Sequence, residues 1–426
     1  MNSNPSNLKL VPLKQNNDLF TRYMNYVDLD NQEAPAIYHR WTLASIIGTL
    51  LGRQFSLPFG QGIIYPNQYI MLMGTPGTRK GSAMNIGRDL LKKAGYGRFS
   101  ASRTSLERFL IDMKQFDIDP TEGIDGLESL ALDGPSESYI FAGEFVDFIG
   151  PNDIAFINLL TNLWDNPPDY KHPKIQGKSV AVHQPTVNMF GGSTPQTFAI
   201  AFPPEVIGTG FTSRLLLIHA EPTGKRIAWP TTSDPLTTEE LVLFLKEIKE
   251  KIVGEAEFSE AARELLKKVY DGEVHVDDSR FSYYQQRRYT HLLKLAMILA
   301  AADLTTCVSP EHIVRANTML ACAERHMPKA LGEFGKSRYA AAANEILQYL
   351  NKRAMPASQQ DIWKIVNRTL TKVPELQEVL SNLKNAEKIQ IVNIKGKTGY
   401  MTKHEATTEW SKTLIDFEWL TAEERI

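Results

Sequence analysis

The fold of this chain is set by the stretch Tyr69-Ile-Met-Leu-Met-Gly74-Thr-Pro-Gly77-Thr-Arg79-Lys80-Gly81-Ser82. Five apolar residues suited to a buried strand enter a turn rich in glycine and proline, and an amphipathic segment ending near Lys93 follows the lysine. Glycines let backbone N–H groups close around an anion, a helix N-terminus faces it, and lysine adds a positive charge. The stretch therefore predicts a phosphate-binding loop and a nucleoside triphosphate ligand. An ordinary glycine turn is the alternative interpretation.

The loop departs from the pattern G-x-x-x-x-G-K-[ST] at two positions. The first glycine and the lysine have the correct separation, but Arg79 replaces the second glycine and Gly81 replaces the hydroxyl residue. A hydroxyl for a magnesium ion then has to come from Ser82 or Thr78. The predicted nucleotide-binding residues are Gly74, Thr75, Pro76, Gly77, Thr78, Arg79, Lys80, Gly81 and Ser82.

Length and composition set the frame for this loop. The chain has 426 residues, of which 42% are hydrophobic, and this predicts a globular protein of two or three domains. The two cysteines, Cys307 and Cys322, lie in a region with a helical pattern and predict reduced core thiols in a reducing compartment. The chain shows neither an apolar leader pattern nor a run of 18 apolar residues, so we expect a cytoplasmic protein without a membrane partner.

The order of elements predicts the domain organisation. From Ser138 onward strands and helices alternate, which favours a parallel sheet with helices on both faces. The predicted divisions are a flexible tail (1–16), an N-terminal helical segment (17–65), a P-loop ATPase core (66–232), a helical lid (233–335), a winged-helix domain (336–403) and an acidic C-terminal tail (404–426).

A second buried strand, beginning at Tyr139, ends at Gly143-Glu144 and precedes Asp147. In ATPases whose phosphate loop lies on a parallel sheet, a neighbouring strand carries carboxylates at its C-terminal end for the metal and the attacking water. Glu144 is the predicted base that activates water and, with Ser82, the predicted metal-binding residue. Gly143 stands where a metal-binding aspartate is expected. The alternative is a strand that simply ends in a solvent-exposed glutamate.

A third strand and the loop after it carry further candidate residues. The strand through Asn188 ends in small polar residues at Ser193-Thr194, which predicts a side-chain donor near the terminal phosphate, and Asn188, Ser193 and Thr194 are the predicted sensor residues. Arg214 follows a glycine-bearing loop and precedes an apolar strand, which suits an arginine presented to the nucleotide of a neighbouring subunit. A surface salt bridge is the alternative role for Arg214.

Helical patterns dominate the region before residue 335. Arg287 and Arg288 begin a helix that is otherwise apolar from Leu292 to Leu299, and they are candidates for a second sensor of phosphate. A solvated helix end is an equally good interpretation of either arginine. The predicted helices are Leu241–Ile252, Ser259–Val269, Tyr283–Ala302 and, after Ser309 as N-cap, Pro310–His326.

In this order, the pieces resemble the helicase-like P-loop ATPases encoded by bacteriophages, prophages and plasmids. The resemblance covers roughly residues 35 to 330, and its specificity lies in the order of the motifs. It implies an AAA+-like module related to superfamily-three replicative helicases, which use ATP and Mg²⁺ and assemble into hexameric rings with ATP at subunit boundaries. The matching segments are Tyr65-Pro66-Asn67, Gly74-Thr-Pro-Gly77-Thr-Arg79-Lys80, Gly143-Glu144-Phe145, Gly191-Gly-Ser-Thr-Pro195 and Gly210-Phe-Thr-Ser-Arg214.

The resemblance also implies a role for each matching residue. Lys80 would grip the β and γ phosphates, and Glu144 would activate water. Ser193 or Thr194 would act as the sensor, and Arg214 would be the arginine finger that reaches a neighbouring subunit.

The region after residue 335 predicts a nucleic-acid-binding unit. Residues 336–403 contain 12 Lys and Arg against 5 Asp and Glu, whereas residues 404–426 contain 2 and 6. Three helical patterns followed by a hairpin from Ile389 to Met401 resemble a winged helix, which contacts DNA or, alternatively, a protein. A basic hairpin inside the ATPase core is a further candidate for contact with a DNA strand. The predicted DNA-binding residues are Lys171, Lys174, Lys178, Lys372, Lys384, Lys395 and Lys397.

The leading hypothesis from the sequence is an ATP-driven DNA motor, a ring-forming replicative helicase of a phage or other mobile element in the bacterial cytoplasm. Its expected partners are single-stranded DNA, origin duplex and other replication proteins. One alternative is an initiator or loader that nucleotide switches without unwinding. Another is a nucleotide-sensing structural ATPase that binds proteins.

Overall fold

The chain folds into two compact units. The described part of Met1–Gly332 together with Thr413–Ile426 forms unit 1, and the described part of Glu333–Lys412 forms unit 2. The predicted mixed α/β architecture with a parallel sheet is confirmed. The computed structural model describes residues 18–114, 135–172, 180–202, 206, 210–230, 235–272, 276, 278–332, 338–351, 353, 355–385, 389–394, 397–402 and 414–425.

Unit 1 combines helices with several short sheets. Its helices in chain order are α1 Leu19–Tyr26, α2 Ala36–Leu51, α3 Lys80–Lys93, α4 Leu106–Met113, α5 Phe145–Ile149, α6 Ile154–Trp164, α7 Pro195–Ala201, α8 Pro235–Lys251, α9 Glu260–Asp271, α10 Ser282–Ala302 and α11 Pro310–Leu331. Its strands are β1 Phe55–Phe59, β2 Gly62–Ile64, β3 Tyr69–Met73, β4 Glu137–Ala142, β5 Asp169–His172, β6 Val180–His183, β7 Thr186–Ser193, β8 Leu215–His219, β9 Gly254–Glu255, β10 Glu257–Phe258 and β11 Cys307–Val308.

The central sheet of unit 1 has the order β4-β7-β3-β8, with every neighbouring pair parallel. All five residues of β3 are buried, as expected for a strand covered on both faces. In the register of the sheet, Met73 lies beside Ser193 of β7 and His219 of β8. The carboxyl ends of these three strands therefore meet at one edge, and the loop that follows β3 begins there.

Helix α2 lies within the predicted N-terminal helical segment and packs against the central sheet. It ends at Gly52, whose φ of +48° suits glycine. Every residue of α2 is buried. The helix contacts α3, α8, α10 and β7, so even its polar residues are enclosed. Thr42 and Thr49 satisfy their hydroxyls on the helix backbone.

The predicted helices before residue 335 are confirmed as α8 to α11, although α8 begins at Pro235 instead of Leu241 and α11 ends at Leu331 instead of His326. Ser309 caps α11 as predicted, and its backbone N–H donates to Nδ1 of His312 at 3.0 Å. Ser259 likewise caps α9 by accepting from the Ala262 N–H at 3.2 Å. Side-chain caps thus define the starts of these two helices.

Unit 2 is built from three helices and a small antiparallel sheet of order β12-β14-β13. Three helices precede the hairpin, as predicted, and β13 and β14 form that hairpin. Its core contains Ile346, Ile362, Leu376 and Leu380. The elements are α12 Arg338–Asn351, β12 Ala357–Ser358, α13 Gln359–Val366, α14 Val373–Asn385, β13 Ile389–Ile394 and β14 Lys397–Thr402.

The two cysteines are both free thiols. Cys322 is partly buried in α11, and burial raises its pKa to about 12. Cys307 is exposed, so the prediction of core thiols is wrong for this residue: it opens a two-residue strand in which Val308 takes the buried side. Among the described residues, each helix is too short or too polar to cross a membrane.

The close approach of Gly192 in β7 to the backbone of Gly143 can be tested by substitution. A β-carbon at position 192 would lie 2.4 Å from the backbone oxygen of Gly143, whereas one at Gly97 would meet nothing within 4 Å. We expect Gly192→Ala to lower the free energy of unfolding by about 1–3 kcal/mol, because backbone must move, and Gly97→Ala to change it by less than about 0.5 kcal/mol. Urea unfolding of both variants measures the difference; equal stabilities would contradict this packing.

Candidate functional site

The loop between β3 and α3 contains two residues in the left-handed region. Gly77 has a φ of +88° and Arg79 a φ of +60°. Arg79, which replaces the second glycine of the consensus, therefore adopts a left-handed conformation that favours glycine. Helix α3 begins at Lys80, and no side chain caps its N-terminus. The N–H groups of Lys80 and Gly81, the first two of the helix, therefore lack partners within it and can donate to an anion, whereas the Ser82 N–H donates to the Arg79 backbone oxygen at 3.1 Å.

Gly74 is required by close packing at the start of the loop. A β-carbon there would lie 2.6 Å from the Tyr38 hydroxyl, 2.7 Å from Oγ1 of Thr78 and 3.0 Å from the Ala220 backbone oxygen. The Tyr38 hydroxyl donates to the Met73 backbone oxygen at 2.6 Å, and burial raises its pKa. Tyr38 of α2 thus packs against the start of the loop and holds it by a hydrogen bond.

Lys80 directs its ammonium group into the loop. Its Nζ donates to the backbone oxygens of Gly74 at 2.8 Å and Thr75 at 3.3 Å, and lies 3.4 Å from Oγ1 of Thr78. The side chain is 7% exposed, and burial lowers its pKa while the charge of Glu144 opposes this. The ammonium is held by neutral carbonyls, which a phosphate group can replace as partners.

Glu144 follows β4, and the structure brings it near Lys80. The residue is exposed and stands at the N-cap of α5. Partial burial raises the pKa of its carboxyl, the charge of Lys80 lowers it, and the charge of Asp147 raises it. A raised pKa moves a carboxylate toward the range in which it can take a proton from water near neutral pH.

Ser193 and Thr194 end β7 at the same edge. The Gly74 N–H donates to the Ser193 backbone oxygen at 3.3 Å, so β7 and the loop are joined directly. The Ser193 hydroxyl lies 2.9 Å from Oγ1 of Thr197, and the Thr194 hydroxyl caps α7. Both predicted sensor hydroxyls are thus near the loop and engaged in local hydrogen bonds.

Arg214 lies at the opposite end of the strands, the amino-terminal end, directly before β8. Its guanidinium donates to Oδ2 of Asp165 at 2.5 Å and to the Gly210 backbone oxygen at 2.9 Å. Arg287 of α10 reaches the other oxygen of Asp165 at 3.4 Å. Both guanidinium groups lie beside the ring of Trp164, at 5.6 and 5.4 Å from its centroid. Since β8 has five residues, roughly 16 Å separate Arg214 from the loop edge.

The other predicted sensors are also held away from the loop. Asn188 lies near the start of β7, where its side-chain oxygen accepts from the Gln68 N–H at 2.9 Å. Arg288 is buried against α11, with Nε 2.6 Å from Oε1 of Glu324 and Nη2 3.0 Å from Oδ1 of Asn317. Within one chain the structure does not bring Asn188, Arg287 or Arg288 to Lys80.

Lys294 is a buried cation that the sequence pattern did not single out. It lies on α10, where its Nζ donates to the Asn67 side-chain oxygen at 2.5 Å and to the Asn67 backbone oxygen at 3.1 Å. The Nζ lies 4.1 Å from the centroid of the Trp164 ring. Burial lowers the pKa of Lys294 to about 7. This contact ties α10 to the residue that leads into β3.

The magnesium assignment rests on few protein groups. Gly81 and Gly143, the two positions that depart from the consensus, face open space. The Thr78 hydroxyl is committed to the Thr75 backbone oxygen at 2.5 Å, whereas Ser82 is exposed. Among the described residues, no group of three His, Cys, Asp or Glu side chains is placed to hold a metal ion. The residues fit Mg²⁺ bound mainly through phosphates and water, which is its usual mode.

A cavity of about 1030 Å³ lies beside the loop. Its wall includes His219 and Ala220 at the end of β8, together with residues from α1, α11 and residues 421–424. The Ala220 backbone oxygen is the group that approaches Gly74. Burial lowers the pKa of His219; the charge of Glu221 opposes this, and the charges of Lys329, His326 and Lys80 add to it. The cavity therefore adjoins the loop at Ala220.

The predicted DNA-binding lysines are only partly described. Lys171 is exposed on β5 of the β5–β6 hairpin, and Lys372 and Lys384 are exposed at the two ends of α14. Lys397 begins β14. Lys174, Lys178 and Lys395 lie outside the described residues.

Comparisons with known proteins assign no family to the chain. No model of a known protein family matches it, and no curated protein matches it either. The interpretation of the site therefore depends on its own residues, above all Lys80, Glu144 and the uncapped start of α3.

The left-handed Arg79 makes a test of the loop. A β-branched side chain is the most hindered in this conformation, so we expect Arg79→Val to lower the free energy of unfolding by about 1–2 kcal/mol. Arg79→Gly relieves the strain but loses the ion pair to Glu33, an exposed contact worth about 0–1 kcal/mol. Urea unfolding measures both variants, and Glu33→Gln controls for the ion pair alone. If valine and glycine were equivalent, the backbone assignment would be wrong.

The lowered pKa of Lys294 can be tested by the pH dependence of stability. Its pKa of about 7 in the folded state lies below the unfolded value of about 10.4. Between these values only the unfolded chain binds the proton, so stability rises with pH. We expect the free energy of unfolding of Lys294→Met, measured relative to that of the wild type, to be about 1–3 kcal/mol higher at pH 7 than at pH 10. Urea unfolding at both pH values measures this, with the exposed Lys93→Met as control. A pH-independent difference would contradict the shifted pKa.

Proposed function

We propose that this chain is an ATP-hydrolysing motor that acts on DNA, as do the phage and plasmid helicases it resembles. The observation that carries the proposal is the meeting of Lys80 and Glu144 at the carboxyl edge of a parallel sheet, in front of an uncapped helix N-terminus. This is the combination of groups that phosphoryl transfer to water requires.

Each group has a defined task in this proposal. The ammonium of Lys80 exchanges the carbonyls of Gly74 and Thr75 for phosphate oxygens. The Glu144 carboxylate accepts the proton of the attacking water, which its raised pKa favours. Ser82 and Glu144 would help to hold Mg²⁺, which would neutralise charge on the phosphates. The cavity beside the loop has room for the base and ribose.

The position of Arg214 supports a ring. It cannot reach Lys80 of its own chain, because β8 separates them. A second copy of the chain can bring its Arg214 edge to the loop edge of the first, which is the arrangement that an arginine finger acting in trans needs. We propose ATP sites between neighbouring subunits on this basis.

Unit 2 supports the assignment of DNA as partner. Its helix-strand-helix-helix-strand-strand order, with β12 paired to β14, is typical of a winged helix. The two ends of its third helix expose Lys372 and Lys384, which suits contact with phosphates of a duplex. The same feature also favours the second candidate function, a nucleotide-switched initiator or loader that binds duplex without unwinding it.

ATP hydrolysis stimulated by single-stranded DNA is the first test. We expect Lys80→Ala to abolish tight ATP binding and Glu144→Gln to keep binding while reducing hydrolysis by about 10²–10⁴-fold, because only the base is lost. The matched control is Lys93→Ala, an exposed lysine on the same helix, which should hydrolyse ATP at the wild-type rate.

Unchanged hydrolysis in Lys80→Ala would refute the assignment of the loop. Strand displacement with ATP separates the two candidate functions: a motor releases the displaced strand, whereas an initiator binds duplex in an ATP-dependent manner without strand release.

A further inference from the structure

The segment Leu414–Arg425, here called the C-terminal strap, folds back onto unit 1. Its first residues pair with α11: the Leu414 backbone oxygen accepts from Nδ2 of Asn317 at 2.8 Å, and the Asp416 N–H donates to Oγ1 of Thr318 at 2.9 Å. The sequence assigned this acidic segment to a tail. In the structure it is part of the folded unit.

A buried ion pair anchors the strap. Arg40 of α2 donates from Nε and Nη2 to the two carboxylate oxygens of Glu424, at 2.6 and 2.8 Å. The two side chains are 3% and 1% exposed. The Arg40 guanidinium also lies 4.2 Å from the centroid of the Trp419 ring, which packs on Phe20. Such a bidentate pair fixes both position and orientation of the strap.

Glu423 connects the strap to the support of the loop. Its Oε1 accepts from the Ala36 N–H, the first of α2, at 2.9 Å. Pro35 at the N-cap gives this helix end no side-chain cap of its own, so a residue 387 positions away in sequence supplies it. Two residues farther along α2, Tyr38 holds the Met73 backbone oxygen at the start of the loop.

The strap forms one wall of the cavity beside the loop, through Thr421, Ala422, Glu423 and Glu424. The carboxylate of Glu424 is neutralised by Arg40, and that of Glu423 has Ala36 N and Lys225 as neighbours. The cavity adjoins the Lys80 loop at Ala220, whose backbone oxygen approaches Gly74, and its strap wall offers phosphate no cation of its own. Such a wall suits the uncharged part of a nucleotide.

We propose that the C-terminal strap is the wall that holds the base and ribose of the nucleotide whose phosphates bind at Lys80. The inference rests on the proposed ATP site and adds the C-terminal strap, which lies far in sequence from the phosphate-binding loop, to that site. By linkage, nucleotide binding and docking of the strap stabilise each other.

The test compares two ligands on one variant. Ala422 is exposed and lines the cavity, so Ala422→Trp fills the base side without disturbing the fold. We expect it to weaken binding of ATP with Mg²⁺ by about tenfold or more, and to leave binding of inorganic tripolyphosphate with Mg²⁺ within about twofold of wild type. The matched control is Ala199→Trp at an exposed alanine of α7, which should bind both ligands normally. Calorimetric titration and thermal unfolding are measured on all three proteins.

The outcomes separate this inference from the proposed function. Wild-type ATP affinity in a folded Ala422→Trp variant would overturn the role of the strap while the ATP site stands. Equal loss of ATP and tripolyphosphate would also overturn it, because the substitution would then act on the phosphates. If the wild type bound neither ligand, the proposed function itself would fail.

Discussion

The parallel register of β3 between β7 and β8 is the constraint on which the rest of unit 1 depends. Because the three strands run in one direction, Gly74, Ser193 and Ala220 converge at a single edge. Two backbone hydrogen bonds close that edge, from Gly74 N to Ser193 O at 3.3 Å and from Ala220 N to Met73 O at 3.2 Å. A shift of one residue would turn the side chains of β3 to opposite faces and separate the loop from its neighbours.

Much of the fold could be predicted because its signals are local. The apolar run of β3, the Ser309 cap of α11 and the helices of unit 2 each depend on residues a few positions apart. The same holds for the loop and for Glu144 after β4. What local patterns cannot give is which polar residues meet across the fold. Tyr38 under the loop and the Glu424 anchor of the strap depend on partners far away in sequence.

The predicted sensors show a related limit. Asn188 and Ser193 belong to one strand, and both are polar residues in an apolar segment. The direction of the strand decides where the two residues lie. Ser193 lies beside Met73 at the carboxyl end of the sheet, whereas Asn188 accepts a hydrogen bond from the Gln68 N–H at the amino-terminal end. Lys294 did leave a signal, a single lysine within the apolar stretch from Leu292 to Ala302, but its partner Asn67 is visible only in three dimensions.

The two edges of the sheet carry different charge arrangements, and this bears on the proposed ring. At the loop edge Lys80 has neutral carbonyl partners. At the far edge Arg214 and Arg287 share one carboxylate, that of Asp165, which is about half exposed. Two guanidinium groups on one carboxylate leave a net positive charge there. In the proposed ring, a triphosphate of a neighbouring subunit would carry more negative charge than Asp165 and would compete with it for Arg214. Because the Arg214 side chain is only 9% exposed in the single chain, this contact would require Arg214 to leave Asp165.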